Sequence, residues 1–223
     1  MLHTNSSIVQ SYNIKEITTH ILSTWKNILH STFNIKDIDN LPMSTMRYIQ
    51  THFTDILNYL EYGHLLEWLN IDITTYYAVI ILFTLFSRCI YYHSRDIYKN
   101  DNKIFLFMEM GVECYNISFS NQSNNFIRSN MTLVYKYIIL LPFQLIENQL
   151  YQTQGKHIIR NYLINEHIIQ YKQILRHILH CQNERIRVLE QFNRFPNRNR
   201  ILNREPTINE IDYLDKQHSL NLK

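Results

Sequence analysis

The sequence predicts an all-α protein in which about eight helices form one array. It contains three glycines and four prolines in 223 residues, which favours long regular elements over tight hairpin turns. Apolar residues recur every three or four positions along most of the chain, the spacing of one buried face of an amphipathic helix. A hydrophobic content of 45%, with 16 tyrosines and 11 phenylalanines, supplies enough apolar surface for a folded core.

The length of the chain fits a single domain with short tails. We expect residues 1–12 to form an N-terminal tail, residues 13–216 a single all-α domain, and residues 217–223 a C-terminal tail. Inside the domain, a stretch rich in Ser, Asn and Gln at about 116–130 predicts a loop of low complexity.

Each predicted helix follows from its own run of apolar residues. A polar break separates the first two helices, and the helical spacing fades near Gly111. The predicted helices run from 14 to 33, from Ser44 or Thr45 to Gly63, through the apolar segment 76–86, from 97 to Gly111, over 133–147, over 156–181 and from Thr207 through Leu214. Successive helix pairs with short connections predict a solenoid-like array without an exact repeat.

The most apolar segment is predicted to be the buried central helix of the domain. Its uninterrupted run from Ala78 to Phe86 is much shorter than the roughly 20 apolar residues that a membrane span needs. The run contains Thr84 and soon meets Arg88. We therefore expect no membrane association.

Charge and cysteine content predict a cytoplasmic protein. The formal net charge of +3 is too small for a general affinity for nucleic acid. Cys89, Cys114 and Cys181 are an odd number without a C-x-x-C pair, so we expect free thiols and no disulfides, as in a reducing compartment. The N-terminal residues show neither the basic nor the apolar part of a secretory leader.

Familiar motifs for catalysis do not occur in the sequence. It contains no G-x-S-x-G, H-E-x-x-H or P-loop pattern. His177, His180 and Cys181 share one helix face, but no second segment supplies ligands, so we predict no metal site. The catalytic residues stay unassigned, and no cofactor is expected.

An arginine-rich segment near the C-terminus is predicted to be a shaped loop. Pro196 and Pro206 prevent one continuous helix across it. Its arginines can hold a carboxylate or a phosphate, or they can bond the free carbonyls at helix ends. Thr207 and Glu210 then form the T-x-x-E capping box of a final helix. The arginines of the loop are Arg194, Arg198, Arg200 and Arg204.

This segment resembles the signature of the domain of unknown function 924 family, R-F-G-R-F-P-H-R-N-x-x-L-G-R-x-S-T-x-E-E. Here it stands as Q-F-N-R-F-P-N-R-N-R-I-L-N-R-E-P-T-I-N-E. Residues 53–68 resemble the family pattern F-x-x-L-x-x-A-x-x-G-x-L-x-x-W, and residues 142–152 resemble P-F-M-H-S-E-x-x-x-x-Q. The segment from Phe83 to Asp101 resembles the central family pattern L-L-D-Q-F-P-R-N-I-Y-R-G-T-x-x-A-F-x-x-D. The resemblance implies an all-α array related to tetratricopeptide-repeat superhelices.

The resemblance also implies a polar pocket, of which this chain keeps a part. The residues that match the family pattern are Arg88, Asp101, Glu147, Gln152, Arg194, Arg198, Asn199 and Arg204. The chain departs from polar groups of the pattern at Thr84, Leu85, Cys89, Leu145, Ile146 and Asn197. These departures remove the carboxylate and imidazole groups best suited to acid–base or metal chemistry.

Three functions remain open at this point. The first is a binding or interaction module whose groove takes a protein partner or a small anion. The second is a hydrolase-like enzyme that acts on a small polar or anionic substrate through Glu147, Asp101 and the arginines. The third is an RNA-binding accessory protein that uses Arg185, Arg187 and the loop arginines with the interleaved Phe192 and Phe195. The same charged residues also fit a structural ion-pair network that ties the loop to the central helices.

Overall fold

The computed structural model describes residues 13–31, 41–69, 72–100, 103–120 and 133–221, and in these ranges all regular structure is helical. The predicted all-α class is therefore confirmed, whereas the relation to tetratricopeptide-repeat superhelices stays a prediction. The α-helices are α1 Ile14–Ser31, α2 Met43–Tyr59, α3 Leu65–Leu69, α4 Ile73–Ile81, α5 Ser87–Ile90, α6 Ile104–Ser120, α7 Leu133–Leu145, α8 Gln149–Asn165, α9 Ile169–Phe192 and α10 Ile208–Asn221.

A central helix spans Ile73–Ile90 and joins α4 to α5 through a wider π-helical turn, Leu82–Phe86. It is apolar and long enough to cross a membrane, but 72% of it is buried inside the fold, as predicted for a core helix. Helix α1 packs against α4, α2 packs against α5, and α6 and α7 pack against α4. In the π turn, the Thr84 hydroxyl donates to the Ile80 carbonyl, which satisfies a buried hydroxyl within the helix.

Gly63 bends the second helix instead of ending it. Its φ is +119°, a conformation that L side chains rarely adopt, and the chain continues directly into α3. The start of α2 also differs from the prediction. The helix begins after Pro42, which fixes a suitable φ, and neither Ser44 nor Thr45 caps it.

The sixth helix continues well past the predicted end at Gly111. A Cβ on Gly111 would lie 3.2 Å from the Ile139 carbonyl oxygen, so this glycine permits close packing of α6 on α7. Helix α6 extends through Ser120, which corrects the predicted start of the low-complexity loop at 116. The rest of that predicted loop, 121–130, and the predicted tail, 1–12, lie outside the described residues.

The long helix predicted over 156–181 is two helices, α8 and α9, that pack against each other. No glycine or proline marks the break. Glu166 stabilises it instead, because one carboxylate oxygen accepts the backbone N–H groups of His167 at 2.9 Å and Ile168 at 3.0 Å. The other oxygen lies 2.5 Å from the Lys136 Nζ on α7. This buried carboxylate therefore fixes both the turn and its contact with α7.

The C-terminal loop follows α9 and leads into α10. Asn193 ends α9 with a left-handed φ of +57°, and a short 3₁₀ helix covers Pro196–Arg198. The predicted capping box is confirmed: Thr207 N–H donates to Glu210 at 2.7 Å, and Glu210 N–H donates to the Thr207 hydroxyl at 3.3 Å. Helix α10 runs to Asn221 and so continues into the segment from residue 217 that was predicted to be a tail.

Candidate functional site

Glu147 anchors the C-terminal loop to the segment between α7 and α8. Its carboxylate accepts the Phe195 backbone N–H at 2.9 Å and two N–H groups of Arg204 at 2.7 and 3.1 Å. Burial opposes its ionisation, but Arg204 and the Phe195 N–H hold the pKa of Glu147 below its ordinary value. The carboxylate is therefore an ionised partner of the loop.

Arg198 is buried between the loop and the helices below it. Its Nη2 donates to the Leu145 carbonyl at 2.7 Å, and its Nε lies 3.9 Å from Glu147. The guanidinium carbon lies 4.7 Å from the ring centroid of Tyr98 and 4.8 Å from that of Phe195. Because Leu145 is the last residue of α7, this arginine bonds a carbonyl at a helix end, one of its two predicted uses.

Arg194 holds the start of α10. Its Nε and Nη2 donate to the two carboxylate oxygens of Glu210 at 2.6 and 2.7 Å, a two-pronged pair, and Nη2 also reaches the Glu205 carbonyl at 2.9 Å. The Arg194 contact lowers the pKa of Glu210 to about 2, against the opposing effect of burial. The pair therefore joins the capping box to the loop.

Gln152 lies in the packed interface between α8 and α9. Its side-chain N–H donates to the Ile146 carbonyl at 2.8 Å, and its amide oxygen accepts from Gln182 at 2.6 Å. Gly155 lets α8 approach both neighbouring helices, since a Cβ there would lie 2.7 Å from the Cβ of Phe143 on α7 and 3.2 Å from the amide nitrogen of Gln182 on α9. Gln152 is fully buried and serves the core of the helix pair.

The other matching residues lie in different surroundings. Arg88 is at the end of the central helix, with its guanidinium carbon 4.7 Å from the centroid of Tyr98. Asn199 is buried in the loop, where its carbonyl accepts the Arg204 backbone N–H at 2.9 Å. Asp101 lies outside the described residues.

A cavity of about 820 Å³ lies beside this network, between the central helix, α7, α9, α10 and the C-terminal loop. Of the residues expected to form one polar pocket, Arg88 and Arg198 line the cavity. For the other described members a single polar pocket stays a prediction, and one of them, Glu147, lies 3.9 Å from the Nε of Arg198. Those that are not part of the cavity wall are Glu147, Gln152, Arg194, Asn199 and Arg204.

The charge of the cavity wall is mainly positive. Arg88, Arg185 and Arg198 are the arginines of the wall, and Glu184 is the acidic residue among the described ones. The Glu184 carboxylate is 2.5 Å from Arg187, on the exposed side of α9. By contrast, the buried Nη1 of Arg185 has no hydrogen-bond partner among the described residues.

One face of α9 forms a long side of the cavity. The residues on it are His177, Ile178, Cys181, Glu184, Arg185 and Val188. These residues have the spacing of one helix face, yet the face mixes charged and apolar side chains. This mixture is a sequence signal for a cavity wall, and we missed it. Cys181 Sγ lies 3.5 Å from His177 Nε2, and the more buried Cys89 has a pKa that burial raises to about 12.

The departures from the family pattern also gather at the cavity. Ile146 is buried and is not part of the cavity wall. The other five line its wall: Thr84, Leu85, Cys89, Leu145 and Asn197. Positions on the central helix, α7 and the loop therefore meet at one place, although they are far apart in the sequence.

Comparison with known proteins identifies a family. Among curated proteins, none matches this chain. A solved structure of a protein of unknown function from Agrobacterium tumefaciens has the same fold, with a TM-score of 0.68 and 19% sequence identity. The similarity covers 92% of this chain and 99% of that one. The family model described as "Bacterial protein of unknown function (DUF924)" matches residues 42–218. The chain therefore belongs to the DUF924 family.

Proposed function

We propose that the protein is a binding protein that takes a small anion into the cavity beside the C-terminal loop. The volume of about 820 Å³ is within the range of about 300 to 1,000 Å³ typical of ligand sites. The arginines of the wall would attract negative charge, and surrounding apolar residues would strengthen that attraction by excluding water.

A buried N–H donor of Arg185 gives this proposal its main support. A guanidinium group offers five N–H donors, and a buried donor without a partner costs about 1 to 3 kcal/mol. The Nη1 of Arg185 is such a donor among the described residues, and Arg185 belongs to the cavity wall. A bound anion would provide the missing acceptor.

The contacts of the C-terminal loop favour a binding protein over a hydrolase or an RNA-binding protein. A hydrolase that used Glu147 as an acid or a base would need a carboxylate free to exchange protons, whereas Glu147 is matched by Arg204 and the Phe195 N–H. An RNA-binding surface would need free arginines, yet Arg194 and Arg204 are held by carboxylates of the same chain.

A thermal-shift experiment tests the proposal. We expect small organic and inorganic anions to raise the melting temperature, since a ligand that binds the folded state stabilises it. Arg185→Met should reduce this shift. Arg176→Met is the matched control, because Arg176 is an exposed arginine of the same helix, α9, and should leave the shift unchanged. Equal responses of the two variants, or no shift with any anion, would contradict the proposal.

A further inference from the structure

Gln144 is a buried polar residue of the cavity wall whose amide nitrogen has no hydrogen-bond partner. It lies on α7, is 8% exposed and lines the cavity. Its Nε2 has no acceptor among the described residues, and the same holds for the Nη1 of Arg185. Because buried polar groups in folded proteins are nearly always hydrogen-bonded, two such donors in one cavity wall indicate a missing acceptor.

The two donors enter the cavity wall from α7 and α9 at about the same level. A Cβ on Gly155 would lie 2.7 Å from Phe143 on α7 and 3.2 Å from Gln182 on α9, so these two residues flank the same point of α8. Gln144 directly follows Phe143 in the sequence. Arg185 follows Gln182 by three residues, or about 4.5 Å along the helix axis. One ligand in the cavity can therefore contact both donors.

The other arginines of the wall already have partners within the fold. Arg198 donates to the Leu145 carbonyl and lies 3.9 Å from Glu147. Arg88 lies against the ring of Tyr98. Among the described arginines of the wall, the buried donor without an acceptor belongs to Arg185. The wall therefore offers a ligand one charged donor, from Arg185, and one neutral donor, from Gln144.

We infer that the ligand presents a singly charged group with two acceptor oxygens, such as a carboxylate, and that Gln144 determines specificity for it. One oxygen accepts from Arg185 and the other from Gln144, so the group bridges α9 and α7. This inference rests on the proposed function and adds the charge of the ligand and a second binding residue. A doubly charged group would place its second charge against a neutral amide in a buried site, which desolvation opposes. A neutral group would lose the stronger hydrogen bond that a charged acceptor forms.

NMR spectroscopy of the isotope-labelled full chain tests the inference at the Gln144 amide itself. We expect acetate to shift the side-chain N–H signals of Gln144. The corresponding signals of Gln173, an exposed glutamine of α9, should stay in place. Titrations at constant ionic strength compare acetate with acetamide, which has no charge, and with sulfate, which has two. Acetamide and sulfate should each bind at least about tenfold more weakly than acetate.

A substitution of Gln144 separates binding from stability. Gln144→Met keeps a side chain of similar length but removes the donor, so it should weaken acetate binding about tenfold. It should not lower the melting temperature of the protein without ligand, because the amide nitrogen has no partner to lose. Gln173→Met is the matched control and should leave the affinity for acetate unchanged.

The outcomes separate the inference from the proposed function. If Arg185→Met weakened acetate binding while Gln144→Met did not, the role of Gln144 would be overturned and the anion site would stand. Sulfate bound as tightly as acetate would overturn the single charge of the ligand and also leave the anion site intact. An absence of binding by every anion would overturn the proposed function together with the inference.

Discussion

At the scale of single residues, three of the four loop arginines have distinct structural partners. Arg194 binds Glu210, Arg204 binds Glu147, and Arg198 binds the Leu145 carbonyl and lies against two aromatic rings. The sequence predicted that arginines would hold this loop, and it predicted the capping box, because that motif is local. It could not show which carboxylate each arginine meets, since Glu147 and Arg204 are 57 positions apart.

Arg198→Ala should lower the free energy of unfolding by about 2 to 3 kcal/mol, because it removes a charged hydrogen bond and leaves the Leu145 carbonyl without its donor. Denaturant unfolding measures this change. Arg200→Ala is the control, because Arg200 is exposed in the same loop. An unchanged stability of Arg198→Ala would show that this arginine does not anchor the loop.

Glu210 should make the free energy of unfolding depend on pH in a specific way. Its pKa is 4.5 ordinarily and about 2 in the folded protein, so its stabilising effect is complete above pH 4.5 and is lost as the pH falls toward 2. Glu210→Gln should therefore lose less stability than the original protein between pH 4.5 and 2, measured by urea unfolding. The pKa values of Glu67, Asp72, Glu147 and Glu166 are also lowered, so these carboxylates contribute to the same dependence. If the free energies of unfolding of the two proteins fell in parallel as the pH is lowered, the role of Glu210 would be refuted.

At the scale of elements, the break between α8 and α9 depends on Glu166. Periodicity predicted one helix there because a single buried carboxylate leaves no pattern in the sequence, and its partner Lys136 is 30 residues away. The same limit explains Gly111, which resembled a helix end but allows two helices to approach. Whether a segment forms a helix depends mainly on residues close together in the sequence, whereas these contacts join residues that are far apart in it.

Glu166→Ala should lower the free energy of unfolding by about 3 kcal/mol, because it leaves the Lys136 ammonium buried without its partner. The double variant Lys136→Met with Glu166→Leu should lose less free energy of unfolding than Lys136→Met and Glu166→Leu lose in total when each is made alone, as measured by denaturant unfolding. Additive losses would show that the two residues act independently.

Gly155→Ala should lower the free energy of unfolding by about 1 to 3 kcal/mol by crowding α8 against α7 and α9, although alanine favours helix formation. The new methyl group would lie 2.7 Å from the Phe143 Cβ and 3.2 Å from the Gln182 amide nitrogen. Gln154→Ala, at the adjacent exposed position of α8, should change the melting temperature little. A stabilised Gly155→Ala protein would mean that the helices can move apart at no cost.

At the scale of the whole molecule, the fold brings the ends of the central helix and α7 together with α9 and the C-terminal loop around one cavity. Composition and periodicity were sufficient for the all-α class and the buried central helix. The cavity was not predictable from them, because its wall combines residues from separate helices whose packing is set by the fold.

The most direct measurement is a crystal structure of the protein grown with the anion that gives the largest thermal shift. We expect the anion inside the cavity, within hydrogen-bonding distance of the buried Nη1 of Arg185. A solvent-filled cavity at a saturating concentration of the anion, or the anion bound on another surface, would contradict a binding function for this cavity.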